Sequence, residues 1–130
     1  MIVVDASALI DVLLRTPSAA AVEVRLFEIG QTLHVPYLLD AEVAQVLRRY
    51  AANGEINPDR GEEALADLVD MPLQRYPHAL LLPRVWQLRQ NLTAYDAIYV
   101  ALAEALEAPL LTRDRRLARA ATHRARIEVV

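Results

Sequence analysis

Short apolar segments that alternate with helical stretches constrain the fold of this chain most strongly. The first, Ile2-Val3-Val4, is a β-branched run that ends at Asp5. Such runs are typical of strands that are buried on both faces of a parallel sheet. The pattern predicts strands over residues 2–4, 33–35, 73–76, 110–112 and 127–130. Strands that alternate with helices favour an α/β fold, with a mostly parallel central sheet flanked by helices.

The segments between these strands carry helix signals. Predicted helices cover residues 7–14, 16–30, 40–53, 57–71, 78–90, 94–107 and 114–121. Ser7, Asp40 and Thr93 are the expected first or capping residues of three of them. Helical periodicity and size assign several side chains to the core: Leu26, Phe27, Val43, Leu47, Leu65, Leu68, Val69, Trp86, Tyr95 and Tyr99. Because no linker or internal repeat interrupts the pattern, we expect residues 1–130 to form a single domain.

The absence of two residue types restricts the possible chemistry. The chain has no cysteine, and all 14 of its basic residues are arginines. Thiol nucleophiles, thiolate metal sites and Schiff-base lysines are therefore excluded. Any catalysis must use carboxylates, hydroxyls, arginines or a hard metal held by oxygen. No apolar run approaches the roughly 18 residues of a membrane span, so we expect a cytoplasmic protein.

Four acidic residues occupy comparable places in the predicted elements. Asp5 ends the first strand, and Asp114 follows the strand over 110–112. Glu42 and Asp96 each lie in the first turn of a helix. Since ligands of open parallel sheets bind beyond the carboxyl ends of the strands, we expect these four side chains to converge at one edge.

Each acid taken alone also fits an ordinary structural role. Aspartate is a favoured helix cap, and an acid in a first turn complements the helix dipole. Two carboxylates about 5 Å apart, however, repel by roughly 3 kcal/mol at an effective dielectric of 20. Four such groups at one edge therefore require a compensating charge. Oxygen ligands without sulfur or clustered histidine point to Mg²⁺ or Mn²⁺, and such sites usually hydrolyse or transfer phosphoryl groups.

The contexts of these acids resemble those of a known family. The similar segments are residues 2–9 (IVVDASAL), 42–49 (EVAQVLRR), 91–103 (NLTAYDAIYVALA) and 111–114 (LTRD). In this order, over nearly the whole chain, they resemble the PIN-domain ribonucleases, specifically the VapC-type toxins of bacterial VapBC toxin–antitoxin pairs. The segment 91–103 is the most specific match.

The resemblance implies a PIN-like fold and a metal-dependent endoribonuclease. By the same resemblance, Asp5, Glu42, Asp96 and Asp114 are the catalytic and metal-binding acids, with Mg²⁺ as the cofactor and Mn²⁺ as a substitute. Ser7 and Thr112 match polar positions beside the metal. The implied partners are RNA, a VapB-type antitoxin and a second copy of the chain in a homodimer. Many relatives carry a further acid close behind Asp114, whereas this chain has Arg115 and Arg116 there.

Basic and aromatic residues near the acids have two possible uses. Arg113, Arg115 and Arg116 either contact the RNA backbone or form a solvated helix face. Tyr95 and Tyr99 are one helical turn apart, and core packing is favoured over stacking on bases. The helices over 16–30 and 40–53 carry broad apolar faces that belong to the core or, as the resemblance implies, to a groove for the antitoxin.

Two other functions remain open from sequence. One is a non-catalytic module that keeps the fold and binds RNA or a partner protein; the presence of all four acids argues against it. The other is a phosphatase or receiver-like α/β domain. The missing lysine, together with the lack of an Asp-x-Asp pair after the first strand, makes that second alternative the weaker one.

Overall fold

A five-stranded, all-parallel sheet lies at the centre of the computed structural model, which describes residues 1–120 and 122–130. Its strands are β1 (Ile2–Val4), β2 (Leu33–Pro36), β3 (Leu73–Tyr76), β4 (Leu110–Thr112) and β5 (Ile127–Val129). They are ordered β3-β2-β1-β4-β5, so β1 occupies the middle of the sheet. The predicted parallel α/β architecture is confirmed.

Helices flank this sheet. They are α1 (Ala6–Leu14), α2 (Ala19–Leu26), α3 (Leu38–Ala52), α4 (Pro58–Asp70), α5 (Leu82–Gln87), α6 (Ala94–Leu106) and α7 (Arg115–Arg119), with a 3₁₀ turn at Ala79–Leu81. Right-handed crossovers in this strand order place α1–α4 on one face and α5 and α6 on the other. The contacts of α1 with α2, α3 and α4, and of α6 with α5, agree with that placement. Among the described residues, no helix is long and apolar enough to cross a membrane.

The central position of β1 explains its sequence. Its three residues are completely buried, and Val3 pairs in register with His34 of β2 and Leu110 of β4. Helices cover both faces of this strand and other strands pair with both of its edges, so its side chains have no contact with water. The run is apolar throughout for that reason. The backbone N–H of Asp5 donates to the Leu111 carbonyl at 3.1 Å. The chain therefore leaves β1 directly beside the end of β4.

Several predicted helix bounds were wrong. The cap of α1 is Asp5 rather than Ser7, since the Asp5 carboxylate accepts the backbone N–H groups of Ser7 and Ala8. Helix α2 is shorter than the predicted 16–30, because Thr16 is used in a turn against Asp11: its backbone N–H bonds the Asp11 carbonyl and its hydroxyl bonds the Asp11 carboxylate. The last helix ends at Arg119, and the predicted end at Ala121 lies outside the described residues.

Long-range contacts decide two further bounds. Helix α3 begins at Leu38 rather than Asp40, and the Leu38 backbone N–H donates to Nε2 of His78, which lies 40 residues further along the chain. The predicted helix over 78–90 is divided into the 3₁₀ turn and α5, with Pro83 in the first turn of α5. A cap supplied from a distant segment leaves no local signal at the helix start.

Some side chains predicted to be in the core are exposed. Trp86 is 67% exposed, and the Arg89 guanidinium lies over its ring at 4.5 Å from the centroid. The other large apolar or aromatic exceptions are Phe27, Leu65, Val69 and Tyr95. Leu26, Val43, Leu47, Leu68 and Tyr99 are buried as predicted. Neighbouring helices cover only a narrow stripe of α2 and α4, so periodicity overestimates the buried face.

Candidate active site

Asp5 is a buried carboxylate at the carboxyl end of the central strand. It is 8% exposed, and no basic side chain pairs with it among the described residues. The Ser7 hydroxyl donates to Oδ1 at 2.5 Å, and the Thr112 hydroxyl donates to Oδ2 at 2.5 Å. Burial raises the pKa of Asp5, and these hydrogen bonds offset the rise only in part.

The two hydroxyls connect β1 to the chain that follows β4. The Thr112 hydroxyl also accepts the backbone N–H of Asp114 at 2.9 Å. The Ser7 hydroxyl accepts the backbone N–H of Arg113 at 3.0 Å. Ser7 and Thr112 therefore link the Asp5 carboxylate to the backbone on either side of the Arg113–Asp114 peptide bond.

Glu42 lies in α3 and is held by an aromatic residue of α6. The Tyr99 hydroxyl donates to Oε1 of Glu42 at 2.5 Å. Burial raises the pKa of Glu42; the hydrogen bond from Tyr99 opposes this, while the charges of Asp5 and Asp96 add to it. Burial and the bond to Glu42 also keep the pKa of Tyr99 well above its usual value, so its hydroxyl remains a donor.

Asp96 lies near enough to two other acids, Asp114 and Asp5, for their charges to act on it. It lies in the first turn of α6, where the Thr93 hydroxyl accepts its backbone N–H at 3.2 Å, as the predicted cap requires. Burial and then the charge of Asp114 raise the pKa of Asp96, with a further contribution from Asp5. Burial and the negative charges of Asp114 and Asp5 therefore disfavour the ionised form of Asp96.

Asp114 differs from the other three acids because it has an arginine partner. It caps α7 by accepting the backbone N–H of Arg116 at 2.9 Å. The Arg116 guanidinium also contacts both carboxylate oxygens, with Nη2 at 2.7 Å from Oδ2. The hydrogen bond from Arg116 lowers the pKa of Asp114. Arg116 therefore neutralises the predicted fourth acid from the solvent side.

The chemistry of these donors fits a hard divalent cation. Asp5, Glu42 and Asp96 are partly desolvated and make no ion pair among the described residues, and the charge of Asp5 raises the pKa of both Glu42 and Asp96. Their oxygens are the ligand type that Mg²⁺ prefers. Across the described residues, no three acids or histidines already stand close enough together to enclose an ion. Asp114 would have to release Arg116 before it could join them.

The predicted RNA-contacting arginines have different surroundings. The Arg113 Nε lies 3.1 Å from Oδ2 of Asp11, an ion pair that orients its guanidinium beside the site. Arg116 is engaged with Asp114, as described above. Arg115 is exposed and makes no ion pair among the described residues. The structure thus leaves Arg115 freest to contact a ligand in solution.

A cavity of about 590 Å³ opens beside the acids. Ser7 and Glu42 lie in its wall, together with Arg49, Arg113 and Tyr95. Tyr95 is 63% exposed, so it is available for stacking, whereas the buried Tyr99 is not. The cavity therefore brings Glu42, the ring of Tyr95 and two arginines to one wall.

Sequence comparison assigns the chain to a protein family. The family model of the PIN domain matches residues 2–122. The chain belongs to the PIN-domain family, and within that family to the VapC-type ribonucleases.

Individual relatives agree with this assignment. Ribonuclease VapC9 of Mycobacterium tuberculosis is 45% identical over 117 residues, which cover 90% of this chain and 88% of the relative. Ribonuclease VapC12 of the same organism is 41% identical over 130 residues, covering 100% and 99% of the two chains. The crystal structure of VapBC2 from Rickettsia felis, bound to a DNA fragment from its promoter, aligns with a TM-score of 0.74. It covers 100% of this chain and 99% of its own at 14% identity, and shows the same fold.

Sequence reasoning missed two contacts at this site. Tyr99 was assigned to the core, and its bond to Glu42 was not foreseen. Its position three residues after Asp96 was a usable signal, because residues at that spacing share a helix face. The Arg116–Asp114 contact had no comparable signal, since a neighbouring arginine is equally able to point into solvent.

Proposed function

We propose that this chain is the toxin of a type II toxin–antitoxin pair and acts as a Mg²⁺-dependent endoribonuclease, with Mn²⁺ able to substitute. The proposed catalytic and metal-binding residues are Asp5, Glu42, Asp96 and Asp114. The observation that supports this most is the environment of the first three, which come from separate elements and are buried or half-buried. Asp5 and Glu42 accept hydrogen bonds from hydroxyls instead of arginines, and Asp96 makes no ion pair among the described residues.

The chain's own residues prepare the site. When bound, Mg²⁺ supplies Lewis-acid stabilisation of the charge that develops on the scissile phosphate and activates water. Asp5 is oriented by Ser7 and Thr112 before any ligand arrives, so its oxygens need little reorganisation. Hydrolysis then leaves a 5′-phosphate and a 3′-hydroxyl at the break.

RNA contacts are proposed for the surface around the acids. Arg113 and Arg115 offer positive charge to backbone phosphates, and Arg116 joins them once it leaves Asp114. Tyr95 offers an exposed ring in the wall of the adjoining cavity. Because few side chains here are suited to reading base edges, RNA shape is expected to matter as much as sequence.

The proposed protein partners are a VapB-type antitoxin and a second copy of the chain. The support for the antitoxin is that several structures with this fold, including VapBC-1 from Haemophilus influenzae, are described as VapBC complexes. Of the apolar residues in the two predicted groove helices, Leu26, Val43 and Leu47 are buried, whereas Val24, Phe27 and Ile29 are exposed and remain available to a partner. An antitoxin arginine placed at the acids would compensate their charge. An antitoxin peptide that inhibits equally well without its arginines contradicts this.

Cleavage of total RNA by the purified protein tests the proposed activity. Discrete fragments are expected with Mg²⁺ or Mn²⁺ and none with EDTA. Asp5→Asn keeps the side-chain size and is expected to reduce cleavage by more than roughly 100-fold, the upper end for loss of a ligand-supporting residue. Arg89→Gln, at an exposed arginine in the turn after α5, serves as the control and retains wild-type cleavage.

The outcomes separate the alternatives. Fragments that Asp5→Asn fails to make, with 5′-phosphate ends, support the proposal. Metal binding without cleavage favours the non-catalytic RNA- or protein-binding module. Cleavage that continues in EDTA or in Asp5→Asn places the activity elsewhere in the chain.

A further inference from the structure

The hydroxyl of Tyr99 lies where three of the acid-bearing elements meet. Its ring belongs to α6, one turn after Asp96, and is 3% exposed. The hydroxyl donates to Glu42 of α3 at 2.5 Å and lies near the backbone of Ala6, the residue that follows Asp5. The phenolic oxygen therefore lies between the segments that carry Asp5, Glu42 and Asp96.

Glu42 depends on this contact more than the other acids depend on theirs. Asp5 accepts hydrogen bonds from two hydroxyls and two backbone N–H groups. Among the described residues, Tyr99 is the one hydrogen-bond partner of the Glu42 carboxylate. A glutamate side chain has several rotamers to lose, so a single fixed donor largely decides where its carboxylate points.

We propose that Tyr99 is a positioning residue: its buried hydroxyl holds the Glu42 carboxylate toward Asp5 and Asp96 and thereby strengthens divalent-metal binding. This inference rests on the metal site of the proposed function. The hydrogen bond uses Oε1 of Glu42. Partners that orient a ligand in this way typically contribute 10- to 100-fold in metal affinity or activity.

The test measures Mn²⁺ affinity of the full chain without RNA, by electron paramagnetic resonance. Tyr99→Phe keeps the ring in the core and removes only the hydroxyl, and we expect it to weaken Mn²⁺ binding by about tenfold. Activity at saturating Mn²⁺ should recover most of the wild-type rate, because the loss lies in binding. Circular dichroism in EDTA checks that the fold is kept.

A double-mutant cycle separates positioning from a general loss of stability. In the Glu42→Gln background, Tyr99→Phe should change Mn²⁺ affinity by less than twofold, because the hydroxyl acts through the Glu42 carboxylate. Glu42→Asp, which withdraws the carboxylate from the hydroxyl, should weaken binding similarly to Tyr99→Phe. The matched control is Tyr76→Phe, which also removes a phenolic hydroxyl bonded to a buried partner, His34 at 2.6 Å, and should bind Mn²⁺ like wild type.

Several results overturn the proposal. Wild-type Mn²⁺ affinity in Tyr99→Phe, or an equal loss in the Glu42→Gln background, shows that the hydroxyl does not act through Glu42. A wild-type chain that binds no Mn²⁺ overturns both this role and the proposed metal site. If wild type binds Mn²⁺ but cleaves no RNA, the nuclease proposal fails, and the affinity cycle still decides the role of Tyr99.

Discussion

The acids at the candidate site and the acids elsewhere in the fold are stabilised in opposite ways. Glu104 of α6 accepts hydrogen bonds from Nε and Nη2 of Arg84, at 2.8 and 3.0 Å. Glu128 of β5 is held in the same way by Arg25, at 2.7 and 2.9 Å. Asp5 and Glu42 instead accept hydrogen bonds from neutral hydroxyls.

The pKa directions follow from this difference. Burial is the largest single influence on Glu104 and would raise its pKa, but the hydrogen bonds from Arg84 and from the Arg124 backbone N–H, together with the two arginine charges, outweigh it and lower the pKa. The hydrogen bond from Arg25 lowers the pKa of Glu128. Burial raises the pKa of Asp5 and Asp96, where no arginine compensates enough. Arginines of the same chain therefore neutralise Glu104 and Glu128. The candidate site keeps excess negative charge, which a bound cation can relieve.

The largest expected effect concerns a structural pair. Arg84→Met should lower the free energy of unfolding by about 3 kcal/mol, because Glu104, whose side chain is 7% exposed, then keeps a buried charge without its main partner. Chemical denaturation at pH 7 measures this. Arg89→Met, an exposed arginine over Trp86, is the control and should change stability by less than about 1 kcal/mol. If Arg84→Met and Arg89→Met lower the free energy of unfolding equally, Glu104 does not depend on its arginine partner. That result would contradict the difference between acids elsewhere in the fold and acids at the candidate site.

Metal should act on the site acids alone. At about 100 times its dissociation constant, Mg²⁺ should stabilise the protein by roughly 2.7 kcal/mol, because it binds the folded chain and not the unfolded one. Thermal melting in MgCl₂ and in NaCl of equal ionic strength measures the difference. Asp5→Asn should lose most of it, whereas Arg84→Met should keep it. A melting temperature that does not respond to Mg²⁺ contradicts the cation site.

Removing one site charge should stabilise the metal-free protein. Asp96→Asn in EDTA should raise the free energy of unfolding at pH 7 by about 0.5–2 kcal/mol, the usual range for a stabilising substitution. Because the pKa of Asp96 is higher in the folded than in the unfolded state, its destabilising effect develops as pH rises above the unfolded value of about 3.9. The gain should therefore vanish near pH 3.5.

Substitution of an acid that is paired with an arginine should change the free energy of unfolding in the opposite direction. Glu104→Gln should destabilise the protein at pH 7, since the lowered pKa of Glu104 means that its ionised form is favoured by folding. That contribution is lost in wild type as pH falls below about 4.3. Denaturation curves of both variants against pH are the readout. An Asp96→Asn protein that is less stable than wild type in EDTA would show that Asp96 acts as a structural acid.

The smallest expected effect concerns Asp114, which belongs to the candidate site but has an arginine partner, as Glu104 and Glu128 do. Arg116→Gln should tighten Mg²⁺ binding by less than about fivefold, because an exposed ion pair contributes little and its loss frees the Asp114 carboxylate. Isothermal titration without RNA measures this. Arg115→Gln, which removes a neighbouring charge without an ion pair, is the control. Weaker binding in Arg116→Gln would mean that the guanidinium helps to hold Asp114 for the metal.

Much of the fold was predictable because its signals are local. The apolar runs Ile2–Val4 and Leu110–Thr112 are short, β-branched or leucine-rich, and followed at once by a charged residue, so they indicated buried strands directly. Thr93 and Asn57 were recognisable caps for the same reason, since each bonds a backbone N–H within three residues. The start of α3 was missed because His78 supplies its cap from a distant segment.

Exposure was the least predictable property. The sequence around Trp86 and Val69 is as apolar as that around Val43, yet only Val43 is buried. Periodicity shows which residues share a helix face but not how wide a stripe the neighbouring elements cover. That width depends on packing across the sheet, which no local pattern contains.

By itself, the sequence determined a parallel α/β fold, placed Asp5 and Asp114 after predicted strands, and restricted the chemistry to oxygen ligands. The tertiary structure decided the strand order, which brings the ends of β1 and β4 together. Only the tertiary structure decided that Tyr99 holds Glu42 and that Arg116 covers Asp114. The first contact joins elements that are far apart in the chain, and the second depends on the rotamer that Arg116 adopts, so local propensity specifies neither of them.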